Sequence, residues 1–172
     1  MNESKMKMKG RFHVEHVRAG EVIGKYEMPN GIVDVGLNKI LDVMFHAATQ
    51  ITTWYISLVD NDGFSAFNAA DQMSSHAGWT ESNGTGSKAG YSDSTRVEWT
   101  EGAAASKSIT NATPITFNIN VGGVIKGIFV TSASDKGGTT GTLWSTAAFA
   151  TNVTVVNGDQ LKVTYTVNAS EV

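Results

Sequence analysis

The second half of the chain is a series of short apolar or alternating runs separated by turn-forming residues, and few architectures fit that pattern. The runs lie at 96–100, 115–121, 124–132, 142–148, 152–156 and 160–167. Between the last two, Asn157-Gly158-Asp159 predicts a type I′ hairpin turn, because Asn and Gly tolerate positive φ. Repeated short strands with such turns are typical of a β-sandwich or jelly roll. We therefore predict a mainly β fold.

Length and composition favour one domain of that class. The chain has 172 residues, of which 41% are hydrophobic, enough for one folded core. Its 18 glycines and its 17% charged residues, below the usual ~25%, indicate a β-rich chain with many turns. We predict an extended arm at 1–9 followed by a single β-rich domain at 10–172.

The amino-terminal segment combines a predicted hairpin with a basic arm. Runs at 11–18 and 21–28 read as two strands joined by Ala19-Gly20. Ahead of them, lysines alternate with methionines, so an extended arm presents Lys on one face and Met on the other. We predict a partner interface there, with strand addition by residues 5–14; the alternative is a solvated tail. The predicted interface residues are Lys5, Met6, Lys7, Met8, Lys9 and Arg11.

One helix is expected, at about 34–47. Five apolar residues follow the i, i+3, i+4, i+7, i+8 spacing of an amphipathic helix, and Asp34 is placed to cap it. These residues are Leu37, Ile40, Leu41, Met44 and Phe45. The stripe could pack on the sandwich or against a neighbouring subunit, and both remain open.

The middle of the chain predicts a central strand followed by a long loop. Residues 52–60 place apolar side chains on both faces, as a central strand does. Residues 61–95 show little periodicity, so they form either a functional excursion or an arm anchored by its aromatic residues. Trp54 and Trp99 are expected in the core. Trp79, within the loop, is the candidate surface anchor and our seventh interface residue.

Residues for metal or thiol chemistry are scarce. The chain has no Cys, which excludes disulfides, thiolate zinc sites and a cysteine nucleophile. His13 and His16 point to opposite faces of a strand. The segment starting Asp60-Asn61-Asp62 resembles the start of a calcium loop but lacks the further ligands at the required spacing. We expect a turn there, with Asp60, Asp62 and Asp71 as the carboxylates to test for an ion.

No recognised catalytic signature is present. The glycine-rich stretch 136–141 has its Lys before the glycines, whereas a phosphate loop needs it after them. The zinc-protease, serine-hydrolase, nucleotide and dinucleotide motifs are missing. We therefore expect no catalytic, cofactor-binding or metal-binding residues, and a protein that is not an enzyme.

Charge and hydropathy restrict partners and location. A formal net charge of -3 and a pI near 5.8 do not supply the positive field that general nucleic-acid binding requires. No apolar run is long enough to span a bilayer, and the first residues lack the apolar stretch of a signal peptide. We expect cytoplasmic synthesis and no membrane partner.

Several segments resemble small structural proteins of tailed-bacteriophage virions. They are GLNKILDVMF leading into TQITTWYISLVDN, MSSHAGWTE, Tyr91 with RVEWTEG, GIFVTSASDKGGTTGTLWSTAAF, and GDQLKVTYTV. Together they cover most of residues 36–167, as a pattern of strands and turns without a catalytic signature. The resemblance implies a non-enzymatic accessory protein located in the virion. It carries over no functional residues.

The leading hypothesis is a capsid decoration, or cement, protein that stabilises the phage head by bridging shell subunits. Its expected partners are the major capsid protein or other virion proteins, and further copies of itself in a homo-oligomer. One alternative is a component of the neck, tail or fibres, for which symmetry places fewer copies on each particle. Another is a carbohydrate- or receptor-binding module that uses exposed tryptophans.

Overall fold

The computed structural model describes residues 5–171, and it is mainly β, with two antiparallel sheets and one helix. The predicted fold class is thus confirmed. The helix is α1 (Asp34–Phe45). The strands are β1 (Met6–Arg18), β2 (Glu21–Pro29), β3 (Gly31–Ile32), β4 (Tyr55–Asp60), β5 (Thr80–Glu81), β6 (Gly90–Tyr91), β7 (Val97–Glu98), β8 (Ser108–Thr110), β9 (Ile115–Val121), β10 (Gly123–Thr131), β11 (Leu143–Val155) and β12 (Gln160–Glu171).

The first sheet has the order β2-β1-β12-β9-β6, with β8 also paired to β12. The β1–β12 ladder runs from Met6 opposite Glu171 to Val17 opposite Gln160. The β1–β2 hairpin turns at Ala19 and Gly20, whose φ values of 51° and 86° are both positive, as a type I′ turn requires. The predicted hairpin is confirmed. Residues 6–9, expected in a separate arm, are the first part of β1, and residues 1–4 lie outside the described range.

The second sheet has the order β3-β11-β10-β4-β5, with β7 also paired to β4. The predicted runs 142–148 and 152–156 belong to one strand, β11. Along its partner β10, the pairing jumps from Gly127 opposite Ala148 to Ile125 opposite Val153. The extra β11 residues at this irregularity interrupt the period-two pattern, so the sequence reads as two strands.

Inward side chains of both sheets form one core. From the first sheet come Phe12, Val14, Phe117, Leu161, Val163 and Tyr165, and from the second Ile56, Leu58, Ile128, Val130, Ala147 and Phe149. The Phe12 and Tyr165 rings stack with centroids 4.3 Å apart. Trp99 lies in this core as expected, whereas Trp54 is only partly buried at its margin. Alternation along each strand therefore produces a sandwich.

Helix α1 links β3 to β4, which are both strands of the second sheet, and its start differs from the prediction. The N-cap is Val33, with no side-chain capping hydrogen bond, so Asp34 is the first helical residue and the predicted Asp34 cap is wrong. Gly36 is the buried helical residue, and a Cβ built on it would lie 2.7 Å from the Trp144 backbone oxygen. The helix is therefore held close to β11 through a residue without a side chain.

The turn between β11 and β12 also differs from the prediction. Gly158 has a φ of 91°, but Asn157 is not among the residues with positive φ, so the turn is not type I′. Asp159 explains the difference, since its carboxylate accepts the N–H of Val156 at 2.9 Å and fixes another turn geometry.

The long loop at 61–95 packs against the second sheet. Its apolar side chains Phe64, Phe67, Met73 and Trp79 contact Phe129 and Leu143 in a second, smaller core cluster. Of the two expected interpretations, the arm anchored by aromatic residues is the one observed. The loop adds β5 and β6 to the sheet edges, so it is part of the folded body.

Candidate docking surface

Helix α1 carries two apolar stripes, and only one is covered. Val33, Gly36 and Ile40 face the body of the protein, where Ile40 packs against the main core. The other stripe stays in solvent: Leu37 is 42% exposed, Leu41 54%, Met44 67% and Phe45 81%. A contiguous exposed apolar stripe of this kind marks an interaction surface. The sequence leaves open whether the predicted stripe packs on the sandwich or against a neighbouring subunit. Of its five residues, Ile40 packs on the sandwich and the other four are exposed to solvent.

The first residues of β1 lie beside this helix. Residues 6–9 pair with β12, whereas the β2 ladder begins only at Arg11, so the other edge of residues 6–9 has no strand partner among the described residues. Met6 is 73% exposed, and Met8 packs against the main core.

The lysines of this segment are free to meet a partner. Lys5, Lys7 and Lys9 are exposed, and none of them forms an ion pair or side-chain hydrogen bond within residues 5–171. They give the β1 end of the surface a local positive charge on a chain of net charge -3. Unpaired surface charge of one sign favours encounter with a partner of the other sign.

A groove of about 510 Å³ separates the start of β1 from α1. Its lining comprises Met6, Lys7, Met8, Lys9, Asn30, Ile32, Leu37, Ile40 and Leu41. Asn30 donates from Nδ2 to the Tyr165 hydroxyl at 2.7 Å, while its Oδ1 is buried without a hydrogen-bond partner among the described residues. We call the groove, the exposed α1 stripe and Lys5–Lys9 together the docking surface.

A second cavity, of about 250 Å³, adjoins the groove through Met8 and Ile40. Its remaining lining is Trp54, Trp99, Ile109, Val130, Trp144 and Val167. The indoles of Trp99 and Trp144 use their N–H groups internally, on Asn111 Oδ1 at 3.2 Å and on the Tyr165 hydroxyl at 2.8 Å. Burial raises the pKa of Tyr165 to about 12, which keeps it a neutral hydrogen-bonding residue. This cavity has an apolar, fixed wall.

Two of the predicted interface residues lie apart from the docking surface. Arg11 is exposed but faces Glu27 at 3.5 Å on the outer face of the sheet. Trp79, expected as a surface anchor, is 1% exposed and donates to Asp71 Oδ2 at 2.9 Å. That prediction is wrong, because the ring is needed to fill the second core cluster beneath the long loop. The five residues Lys5–Lys9 remain together on the surface.

The sequence predicts strand addition by residues 5–14, but a partner strand cannot pair with the whole of that segment. Residues 11–14 are flanked by β2 on one side and by β12 on the other, so their backbone groups already lie inside the sheet. Only residues 6–9 keep an open edge.

The acidic residues that suggested an ion site have internal partners instead. Asp60 accepts the N–H groups of Asp62 at 2.7 Å and Ala89 at 2.8 Å, and Asp71 accepts the N–H of Asn68 at 2.9 Å. These bonds hold the two ends of the long loop. Within residues 5–171, no three His, Asp or Glu side chains are grouped so that they could hold a metal ion.

The buried charges elsewhere serve the fold. Arg96 donates to both oxygens of Glu81, at 3.0 and 2.9 Å, and also to the backbone of Ala133 and Gly138. Such a fully hydrogen-bonded pair holds the 133–138 segment against the sheet.

Among the described residues, the one helix has 12 residues and is about 18 Å long, which is too short to cross a bilayer.

The sequence pattern predicts the α1 stripe and the alternating Lys and Met residues at 5–9, but it does not predict Asn30 and Ile32 as groove residues. No local pattern marks them, because their role comes from the position of β3 beside α1 in the fold.

No protein-family model matches the chain, and no curated protein matches it.

Proposed function

We propose that this chain is a non-enzymatic structural protein of a tailed-phage virion, a decoration protein that binds the assembled shell through the docking surface. The observation that carries the proposal is the second apolar stripe of α1, exposed on a helix already packed by its other face. The segmental resemblance to small virion proteins supplies the class of partner, the major capsid protein.

Binding of this kind stabilises a shell by mass action. A protein that binds the assembled lattice but not its separated subunits shifts the equilibrium toward assembly, by about 2.7 kcal/mol per site at a hundredfold excess over the Kd. Covering Leu41, Met44 and Phe45 supplies the apolar contribution, since burying one such side chain contributes about 1.5–3 kcal/mol. The exposed lysines Lys5, Lys7 and Lys9 add attraction to an acidic shell surface.

The test is co-sedimentation of the purified chain with particles that lack it. Leu41→Asp combined with Met44→Asp should weaken binding by at least about 30-fold, equivalent to about 2 kcal/mol, because it places charge in the buried centre of the contact. Val22→Asp combined with Ile23→Asp is the matched control, since it places two charges on apolar side chains of β2 that are 47% and 51% exposed. Equal binding by the two variants would contradict the proposed surface.

Self-association is measured on the same variants. A homo-oligomer built on the exposed stripe would be lost in the Leu41→Asp, Met44→Asp variant and kept in the Val22→Asp, Ile23→Asp variant, as read by sedimentation velocity. A neck, tail or fibre component would use the same surface at far fewer copies per particle.

The carbohydrate-binding alternative has less support. Trp79, Trp99 and Trp144 are buried and only Trp54 is partly exposed, so the described residues offer no pair of open indole faces.

A further inference from the structure

The open edge of β1 presents unused backbone hydrogen-bonding groups to the groove. The Gly10 carbonyl accepts the Asn30 N–H at 3.0 Å, so Gly10 directs its backbone toward that edge. The N–H and C=O of a strand residue point to the same side, and the side alternates along the chain. The N–H and C=O groups of Met6 and Met8 therefore point to this edge too, where no strand pairs with them within residues 5–171.

The helix forms the opposite wall of the same groove. Leu37, Ile40 and Leu41 line it from α1, and Ile32 lines it from β3. A strand edge facing an apolar helix across an open groove is the geometry in which an extended peptide adds a strand and lays alternate side chains against the helix.

The two faces of an added strand would contact different kinds of side chain. The side chains of Met6 and Met8 share the inward face of the sheet with Phe12, whereas those of Lys7 and Lys9 share the outward face. On the added strand, residues facing inward would contact apolar groups, and residues facing outward would lie beside the exposed ammonium groups of Lys7 and Lys9. Cross-strand pairs of opposite charge and of apolar groups both favour pairing.

We propose that this groove binds an extended peptide segment with alternating acidic and apolar residues, which pairs as a strand with residues 6–9 of β1. This inference rests on the proposed function only for the source of the segment, an arm of a shell protein. It assigns the backbone of Met6 and Met8 to pairing, the α1 stripe to the apolar side chains, and Lys7 and Lys9 to the acidic ones.

The binding test needs no phage particle. A fluorescein-labelled heptapeptide that alternates glutamate and leucine is titrated with the full chain and followed by anisotropy. A peptide of the same composition with the glutamates grouped at one end is the control for sequence order. The alternating peptide should bind at least about tenfold more tightly, because only it separates charge from apolar groups across the strand.

Two matched pairs of variants locate the contact. Met8→Pro removes the N–H that points into the groove, and Met8→Ala removes the same side chain but keeps that N–H, so only Met8→Pro should lose about tenfold further in affinity. Lys7→Glu with Lys9→Glu should abolish binding, whereas Lys88→Glu, on the long loop, should not. Urea unfolding of each variant checks that the fold is retained.

The outcomes separate this inference from the proposed function. Equal affinity for both peptides, or equal affinity of Met8→Pro and Met8→Ala, would overturn strand addition even if the chain binds particles through the α1 stripe. Selective peptide binding by a chain that does not bind particles would support the groove and contradict the decoration role.

Discussion

At the scale of single residues, Asp159 links the β11–β12 turn to the β1–β2 hairpin through side-chain hydrogen bonds. Its carboxylate accepts hydrogen bonds from Arg18 Nε at 2.7 Å, His16 Nε2 at 2.7 Å and the Val156 N–H at 2.9 Å, and its side chain is 1% exposed. The Arg18 hydrogen bonds hold the pKa of Asp159 well below its ordinary value, helped by the Val156 N–H and by His16. The ionised form is therefore the one that the fold stabilises.

The pH dependence follows from that direction. A carboxyl whose pKa is lower in the folded state contributes stability above its unfolded pKa, about 4, and loses it as the pH falls further. Asp159→Asn should lower the free energy of unfolding by about 2–3 kcal/mol at pH 7, and its deficit relative to the wild type should shrink below about pH 4. Urea titrations at several pH values measure this; a deficit that is constant with pH would contradict it.

Trp79 gives a second prediction at this scale. Its ring contacts Phe129 at a centroid distance of 5.0 Å and His76 at 3.9 Å inside the second core cluster. Trp79→Ala should therefore cost about 3–5 kcal/mol of unfolding free energy, as core aromatic truncations do. Trp79→Phe keeps most of the ring and should cost less. A Trp79→Ala variant of unchanged stability would mean that the ring is not packed.

At the scale of elements, adjacent residues of α1 should behave in opposite ways. Leu41 is on the exposed stripe, so Leu41→Asp should change the free energy of unfolding by no more than about 0.5 kcal/mol. Ile40 packs against the core, so Ile40→Asp buries a charge. It should lower the free energy of unfolding several times as much as Leu41→Asp does. Thermal or urea unfolding of the pair measures this, and equal effects would contradict the assigned helix orientation.

Gly36 tests the same element from the other side. A Cβ at this position would meet the Trp144 backbone oxygen at 2.7 Å, so α1 must shift from β11 to admit it. Although Ala favours helices by about 1 kcal/mol, Gly36→Ala should lower stability by about 1–3 kcal/mol through this clash. Chemical denaturation decides the sign, and a more stable variant would mean that the helix has room to move.

The sequence predicts where the helix and several strands lie in the chain, but not how α1 is oriented against the rest of the fold. Spacing alone located α1, and alternation located β9, β10 and the β1–β2 hairpin, because both depend on neighbouring residues. Spacing could not show that Ile40 faces the body while Leu41 faces solvent, since this depends on how α1 packs beside β11, which is distant in the chain. The burial of Trp79 was likewise decided by Phe129 and Leu143 across the fold.

At the scale of the whole molecule, the start of β1 joins the fold to the docking surface. Residues 6–9 pair with β12, and Met8 packs on the core, so the segment serves both stability and binding. Deleting residues 1–9 should therefore lower the melting temperature, which a detachable arm would not do. Side-chain changes at Lys7 and Lys9 are the cleaner way to separate the two roles.

The proposed decoration role requires many copies of the chain on each assembled phage shell. The most direct measurement is its copy number relative to the major capsid protein in purified particles, by quantitative mass spectrometry with isotope-labelled standards. A decoration protein should give a ratio approaching that of the shell subunits. A few copies per particle would instead favour the neck, tail or fibres, and absence from the particles would contradict the virion assignment altogether.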